Sequence, residues 1–120
     1  MSRFWHHFVS NGRGGRACGR LGIRGHEVPL WGTAIRRHGL TQQTGVEVWQ
    51  IDHGSPAEKA GILDDDILLR LAGQPVTEIE QLAKLVRQLR GMVPIELLRG
   101  EVYLERWITL GGWEKSDSVS

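Results

Sequence analysis

Gly45-Val46-Glu47-Val48-Trp49-Gln50-Ile51-Asp52-His53-Gly54-Ser55-Pro56-Ala57-Glu58-Lys59-Ala60-Gly61-Ile62-Leu63-Asp64-Asp65-Asp66-Ile67-Leu68-Leu69-Arg70-Leu71-Ala72-Gly73-Gln74-Pro75-Val76 is the stretch that decides the fold of this 120-residue chain. Val46–Ile51 is rich in β-branched and aromatic residues, which predicts a strand. Ser55-Pro56-Ala57-Glu58 then combines three helix-start signals: a serine N-cap, proline at the first helical position and glutamate three residues after the cap. Gly61 stops that helix after little more than a turn. The acidic run Asp64-Asp65-Asp66 reads as a turn into a second strand, Asp66–Leu71, and Ala72-Gly73-Gln74-Pro75 as the turn that ends it.

The pattern extends both ways from this segment. On the C-terminal side, Thr77-Glu78-Ile79-Glu80 repeats the capping-box logic and opens a helix to about Arg90. Ile79, Leu82, Leu85, Val86 and Leu89 recur at steps of three and four and form one apolar stripe. Gly91 is its stop. Two strands follow, Pro94–Leu98 and Val102–Leu110; in the second, Val102, Leu104, Ile108 and Leu110 share a face, interrupted by Arg106. On the N-terminal side, Leu21–Val28 is a strand candidate with glycines at 22 and 25, and Thr33–His38 a short helix stopped by Gly39. Phe4 and Phe8, four apart, suggest a helix over 3–10, and the glycines at 12, 14, 15 and 19 make 11–19 a linker. Five or six short strands with two helices predict an α+β domain, a small partly open β barrel or sandwich.

Composition fits one globular domain, at 40% hydrophobic and 24% charged residues. No apolar run approaches the roughly 20 residues of a membrane span, and the N-terminus lacks the apolar core of a signal peptide. Cys18 is the sole cysteine, so no intrachain disulfide can form. The net charge of +1 conceals an asymmetry: residues 1–46 hold seven arginines against the single acid Glu27, and the rest is acidic.

The order strand, capped short helix, Gly-Gln-Pro turn and long helix resembles the PDZ domains attached to HtrA/Deg serine proteases. The resemblance extends to Arg20, Leu21, Gly22 and Ile23, which match the carboxylate-binding loop of that family. It implies a peptide-binding module. Backbone amides of the loop would hold a C-terminal carboxylate, with Gly22 letting them converge. Ile23, Arg24, Gly25 and His26 would pair with the peptide as an added strand. Leu21, Ile23, Leu82 and Val86 would line an apolar slot for its last side chain. Leu82→Glu is then expected to abolish binding and leave the fold intact. The family usually carries an aromatic where this chain has Arg20; a cation there is expected to attract the carboxylate and make binding salt-sensitive. Residues 1–20 are similar to the end of a protease domain and its linker, 21–112 would be the PDZ domain, and 113–120 a polar tail. The implied partners are peptides or unfolded protein C-termini and a protease domain of the parent protein, in a bacterial periplasm or cell envelope.

Other chemistry is poorly supported by the residues. The family's catalytic domain needs a nucleophilic serine in a Gly-Asn-Ser-Gly-Gly setting, which the chain lacks, so a non-catalytic module is expected. Asp52, His53 and Ser55 have the residue types of a triad, but Ser55 is explained as an N-cap. His6, His7, His26, His38, His53 and Cys18 lack paired metal-ligand spacing, and the aspartates at 64–66 lack the alternation of a calcium loop, so no metal or other cofactor is expected. The Gly12–Arg16 tract has no interleaved aromatics for stacking on bases, so no nucleic-acid partner is expected. Of the five tryptophans, Trp49 and Trp107 should cover the sheet, while Trp5, Trp31 and Trp113 could mark a contact surface. The competing function is scaffolding or oligomerisation, with the groove filled by the chain's own N-terminal segment or by a neighbouring subunit.

Overall fold

The computed structural model describes residues 16–112. They form strands β1 (Arg16–Cys18), β2 (Ile23–Pro29), β3 (Thr44–Ile51), β4 (Ile67–Leu71), β5 (Gln74–Pro75), β6 (Gly91–Arg99) and β7 (Val102–Leu110), with helices α1 (Gly32–His38), α2 (Pro56–Lys59) and α3 (Ile79–Gln88). All strand pairs are antiparallel, in the order β1-β2-β3-β4-β6-β7, and β5 pairs with β4. The expected α+β class holds. The sheet is open and counts seven strands, because β1 and the two-residue β5 lie below the length at which alternation is readable.

Both faces of the sheet are covered. Leu68 and Leu71 of β4 join a large cluster with Val46, Val48, Leu82, Val86, Ile95 and Ile108. Ile67 and Leu69 of the same strand join Val28, Leu30, Leu40 and Leu98 on the other face, where Ala34 and Ile35 of α1 pack. A strand buried on both sides reads as a continuous apolar run, which explains Ile67-Leu68-Leu69.

The opening segment folds as its local chemistry dictates. Ser55 Oγ accepts from the Glu58 N–H at 3.2 Å, and Glu58 Oε1 accepts from the Gly54 N–H at 2.6 Å. Ala72 and Gly73 both have positive φ (52° and 81°) between the paired residues Leu71 and Gln74. This is the two-residue hairpin loop whose twist suits antiparallel strands.

Four expectations need correction. The linker predicted over 11–19 ends as strand β1, pairing Arg16 with Gly25, Ala17 with Arg24 and Cys18 with Ile23. At α3 it is Gln81 that reaches back, accepting from the Thr77 N–H at 2.7 Å and the Thr77 hydroxyl at 2.8 Å, in place of Glu80. The turn read over Ala72–Pro75 narrows to Ala72-Gly73, because Gln74 and Pro75 pair with Leu71 and Arg70 as β5. Trp107 is 55% exposed, so it does not cover the sheet. The helix expected over 3–10, Trp5 and Trp113 lie outside the described residues.

Candidate functional site

The Arg20–Ile23 loop is fastened to the frame that the opening segment builds. The Ala57 N–H donates to the Leu21 carbonyl at 3.1 Å, and the Asp52 N–H to the Gly22 carbonyl at 2.8 Å. Ala57 occupies the first turn of α2, so the Ser-Pro-Ala-Glu cap also positions the loop. Gly22 has φ of 84°, a conformation costly for any residue with a Cβ. With both carbonyls held, the Leu21 and Gly22 N–H groups turn together onto one oxygen, the Cys18 carbonyl, at 3.2 and 2.9 Å.

Beyond the loop, β2 runs past α3. Leu21, Ile23, Leu82 and Val86 are all buried and belong to one packed cluster, so the four predicted slot residues come together. Gly25 makes the close approach of β2 to β3 feasible: a Cβ there would stand 2.4 Å from the Glu47 carbonyl oxygen, where the register shifts between Arg24 and Gly25. His26, the last predicted pairing residue, is half-buried. Its Nδ1 accepts from Trp49 Nε1–H at 2.6 Å, which leaves its Nε2 facing Glu47 Oε1 at 3.5 Å.

Strand β1 lies between β2 and α3. It pairs along Ile23–Gly25, touches α3 and runs antiparallel to β2 with its C-terminal end at the loop. Cys18 is 2% exposed and packs in the cluster with Leu21, Ile23, Leu82 and Val86. Burial pushes its thiol up to about 11, against smaller downward pulls from a backbone hydrogen bond with Leu21 and from the Arg87 and Arg20 charges. Ala17 faces solvent, and Arg16 pairs with Glu80 on the first turn of α3. The alternation is that of a strand packed beside a helix: one side chain in, the next out, the third against the helix.

This placement changes one expectation. Leu82 is fully buried, so Leu82→Glu would put a carboxylate into the main core and could not leave the fold intact. Exposed groups of α3, such as Glu80, are the appropriate probes.

The other residues considered for chemistry have structural placements. Ser55 is buried and caps α2, while His53 is almost fully exposed and faces Glu58 across 3.4 Å. Asp66 is buried at the end of the acidic turn. Its carboxylate accepts two hydrogen bonds from Arg99, at 2.9 and 2.8 Å, and one from the Leu63 N–H at 2.8 Å; Arg99 also donates to the Gly61 carbonyl at 2.9 Å. This clamp ties the end of α2 to β6. Sequence inspection missed it because its two halves lie 33 residues apart. Among the described residues no cluster of His, Cys, Asp and Glu suits a metal ion, and no helix is long and apolar enough to cross a membrane. Two surface cavities lie away from the groove. One, of about 280 Å³, sits between Pro56, Lys59 and Trp107. The other, of about 570 Å³, lies beside Trp31 and Arg37.

Comparison with known proteins agrees with this geometry. Residues 47–99 match the family described as PDZ domain. A 52-residue stretch is 42% identical to a probable periplasmic serine endoprotease, DegP-like, of Rhizobium meliloti (strain 1021). That alignment takes in 43% of this chain and 10% of the relative, so the similarity concerns a small part of that protein. Among solved structures, the HtrA3 PDZ domain bound to a phage-derived ligand superposes with a TM-score of 0.57 at 20% identity, covering 82% of this chain and 89% of that one. The serine endoprotease from Yersinia pestis gives 0.61 at 23% identity, covering 94% of this chain and 35% of that one. The HtrA-type protease AlgW with a decapeptide gives 0.59 at 21% identity, covering 92% and 33% respectively. At these identities the superpositions establish the shared fold. With the family match and the DegP-like stretch added, the chain carries a PDZ domain related to those of HtrA and DegP serine endoproteases.

Proposed function

We propose that the domain binds extended peptides by their C-terminal ends in the groove between β2 and α3. The observation that carries this reading is the convergence of the Leu21 and Gly22 N–H groups on a single oxygen at the end of a strand antiparallel to β2. A terminal carboxylate is the ligand group that such a nest suits best, since it brings a full negative charge where a carbonyl brings a partial one. Ile23–His26 would supply main-chain hydrogen bonds, and Leu21, Ile23, Leu82 and Val86 would take an apolar last side chain. Arg20, beside the loop, would add attraction for the carboxylate. The peptide ligands named for the HtrA3 domain and for AlgW support the same ligand class here. The DegP-like relative supports a setting in the periplasm, with the domain delivering or sensing protein tails for a serine protease. A few backbone bonds and one small slot correspond to an affinity on the order of micromolar, about −8 kcal/mol.

Titration with a hydrophobic-ended decapeptide, once with a free carboxylate and once amidated, tests this. The free acid should bind at least about tenfold tighter, the worth of one charge-assisted pair of hydrogen bonds. Equal binding would remove the carboxylate loop from the mechanism.

The pairing of β1 with β2 also supports a second reading, an assembly module in which such a strand fills the groove of a neighbouring subunit. Light scattering of the full chain over a wide concentration range separates the two. A monomer throughout would retire the assembly reading.

A further inference from the structure

We propose that β1 is an internal pseudo-ligand, so that a peptide enters the groove only by exchanging with residues 16–18. This inference concerns the regulation of the site and rests on the peptide-binding reading above.

The contacts expected of a bound peptide along Ile23–Gly25, at the loop amides and among the slot residues are already made by β1. Its backbone pairs with Ile23–Gly25 in the antiparallel sense. The Cys18 carbonyl occupies the amide nest of the loop. The Cys18 side chain is buried among the slot residues, and Arg16 reaches Glu80 on the helix wall. A peptide and β1 cannot use the same N–H groups, the same edge and the same slot together, so their occupancies are mutually exclusive. The latch is also weak enough to open. It has three residues in the ladder, and its one ion pair joins side chains that are 65% and 62% exposed, where such pairs contribute little. Its last residue is a small thiol, which leaves a larger apolar side chain room to compete through greater burial. Mass action then sets the outcome. If β1 is docked in about 99% of molecules, the apparent dissociation constant rises about a hundredfold over that of the open groove.

The sole cysteine makes the latch directly observable. A buried thiol is protected from disulfide reagents and becomes reactive when β1 leaves. The experiment measures labelling of Cys18 by an aromatic disulfide in the full chain, alone and with increasing amounts of a free-acid decapeptide ending Ala-Ala-Val. In parallel, the affinity of that peptide is measured for the wild-type chain and for Cys18→Asp and Glu80→Lys. Cys18→Asp places a charge that the apolar slot rejects, and Glu80→Lys removes the Arg16 contact at an exposed position.

The expected results are slow labelling of the wild-type chain, acceleration by peptide that saturates with binding, and affinity about tenfold or more higher for Cys18→Asp. Glu80→Lys should shift affinity in the same direction by up to about fivefold, and this variant carries the test should Cys18→Asp fold poorly. Binding that leaves labelling unchanged would overturn the exchange, as would labelling as fast as in denaturant without peptide; in both cases peptide binding itself stands. Slow labelling with no peptide binding to any form would instead overturn the peptide-binding reading, and the exchange with it.

Discussion

Gly25→Ala tests whether the close approach of β2 and β3 is a requirement of the fold. A Cβ at this position would lie 2.4 Å from the Glu47 carbonyl oxygen and 3.2 Å from Val46 Cγ1. The first neighbour is backbone in a paired strand and cannot swing aside. Relieving it to 3.0 Å means moving one strand by about 0.6 Å at the bulge, where the register already shifts. Overpacking of this kind costs about 1–3 kcal/mol. For a domain of about 100 residues, 2 kcal/mol lowers the melting temperature by roughly 10 °C. Gly19→Ala is the matched control, because a Cβ there meets nothing within 4 Å and its φ is not positive. It should lie within about 0.5 kcal/mol of wild type or be slightly stabilising through the unfolded chain. Urea unfolding followed by tryptophan fluorescence gives both values. Equal midpoints for the two variants would refute the steric account, and a destabilised Gly19→Ala would refute the open placement of the loop.

Three further outcomes follow from particular contacts. Ser55→Ala removes the acceptor for the Glu58 N–H and should cost about 1 kcal/mol in urea unfolding; because Ala57 of the same turn holds the Leu21 carbonyl, peptide affinity should fall as well. Arg99→Ala leaves the buried Asp66 carboxylate without its guanidinium and should cost about 3–5 kcal/mol, whereas Arg37→Ala, which loses only an exposed pair with Glu101, should be nearly neutral in the same assay. Tyr103 is the only tyrosine, and burial followed by its hydrogen bond to Glu96 pushes its phenol up to about 12. A raised phenol pKa favours the folded state at every pH below about 10, and that contribution is lost as pH rises from about 10 to about 12. Absorbance titration should place the tyrosinate midpoint near 12, and a midpoint near 10 would show the phenol to be freely solvated.

What was legible in the sequence was local. The Ser55 cap and the stripe Ile79–Val86 depend on neighbours within a few residues, and both appear as read; the turn read over Ala72–Pro75 is there too, narrowed to Ala72-Gly73. That Leu82 and Val86 face the core follows from helical spacing, and they pack in one cluster with Leu21 and Ile23, which the family resemblance of the loop singles out. What escaped was set by distant partners. Arg16-Ala17-Cys18 is too short to show a period and is flanked by glycines, so only its pairing with Ile23–Gly25 makes it a strand. The Asp66–Arg99 clamp joins the acidic turn to the end of β6, which no local rule connects. Gln81 replaced Glu80 at Thr77, and Glu80 is left facing Arg16, a contact that exists only because β1 docks.

The claim that the groove between β2 and α3 is the peptide site is tested most directly by backbone amide resonances of the full chain during titration with a free-acid, hydrophobic-ended decapeptide. The account predicts that the largest shifts fall on Arg16–Cys18, on Leu21–His26 and around Leu82 and Val86. Shifts confined to the surfaces around Trp31 or Trp107, with the Leu21–His26 amides unmoved, would contradict it.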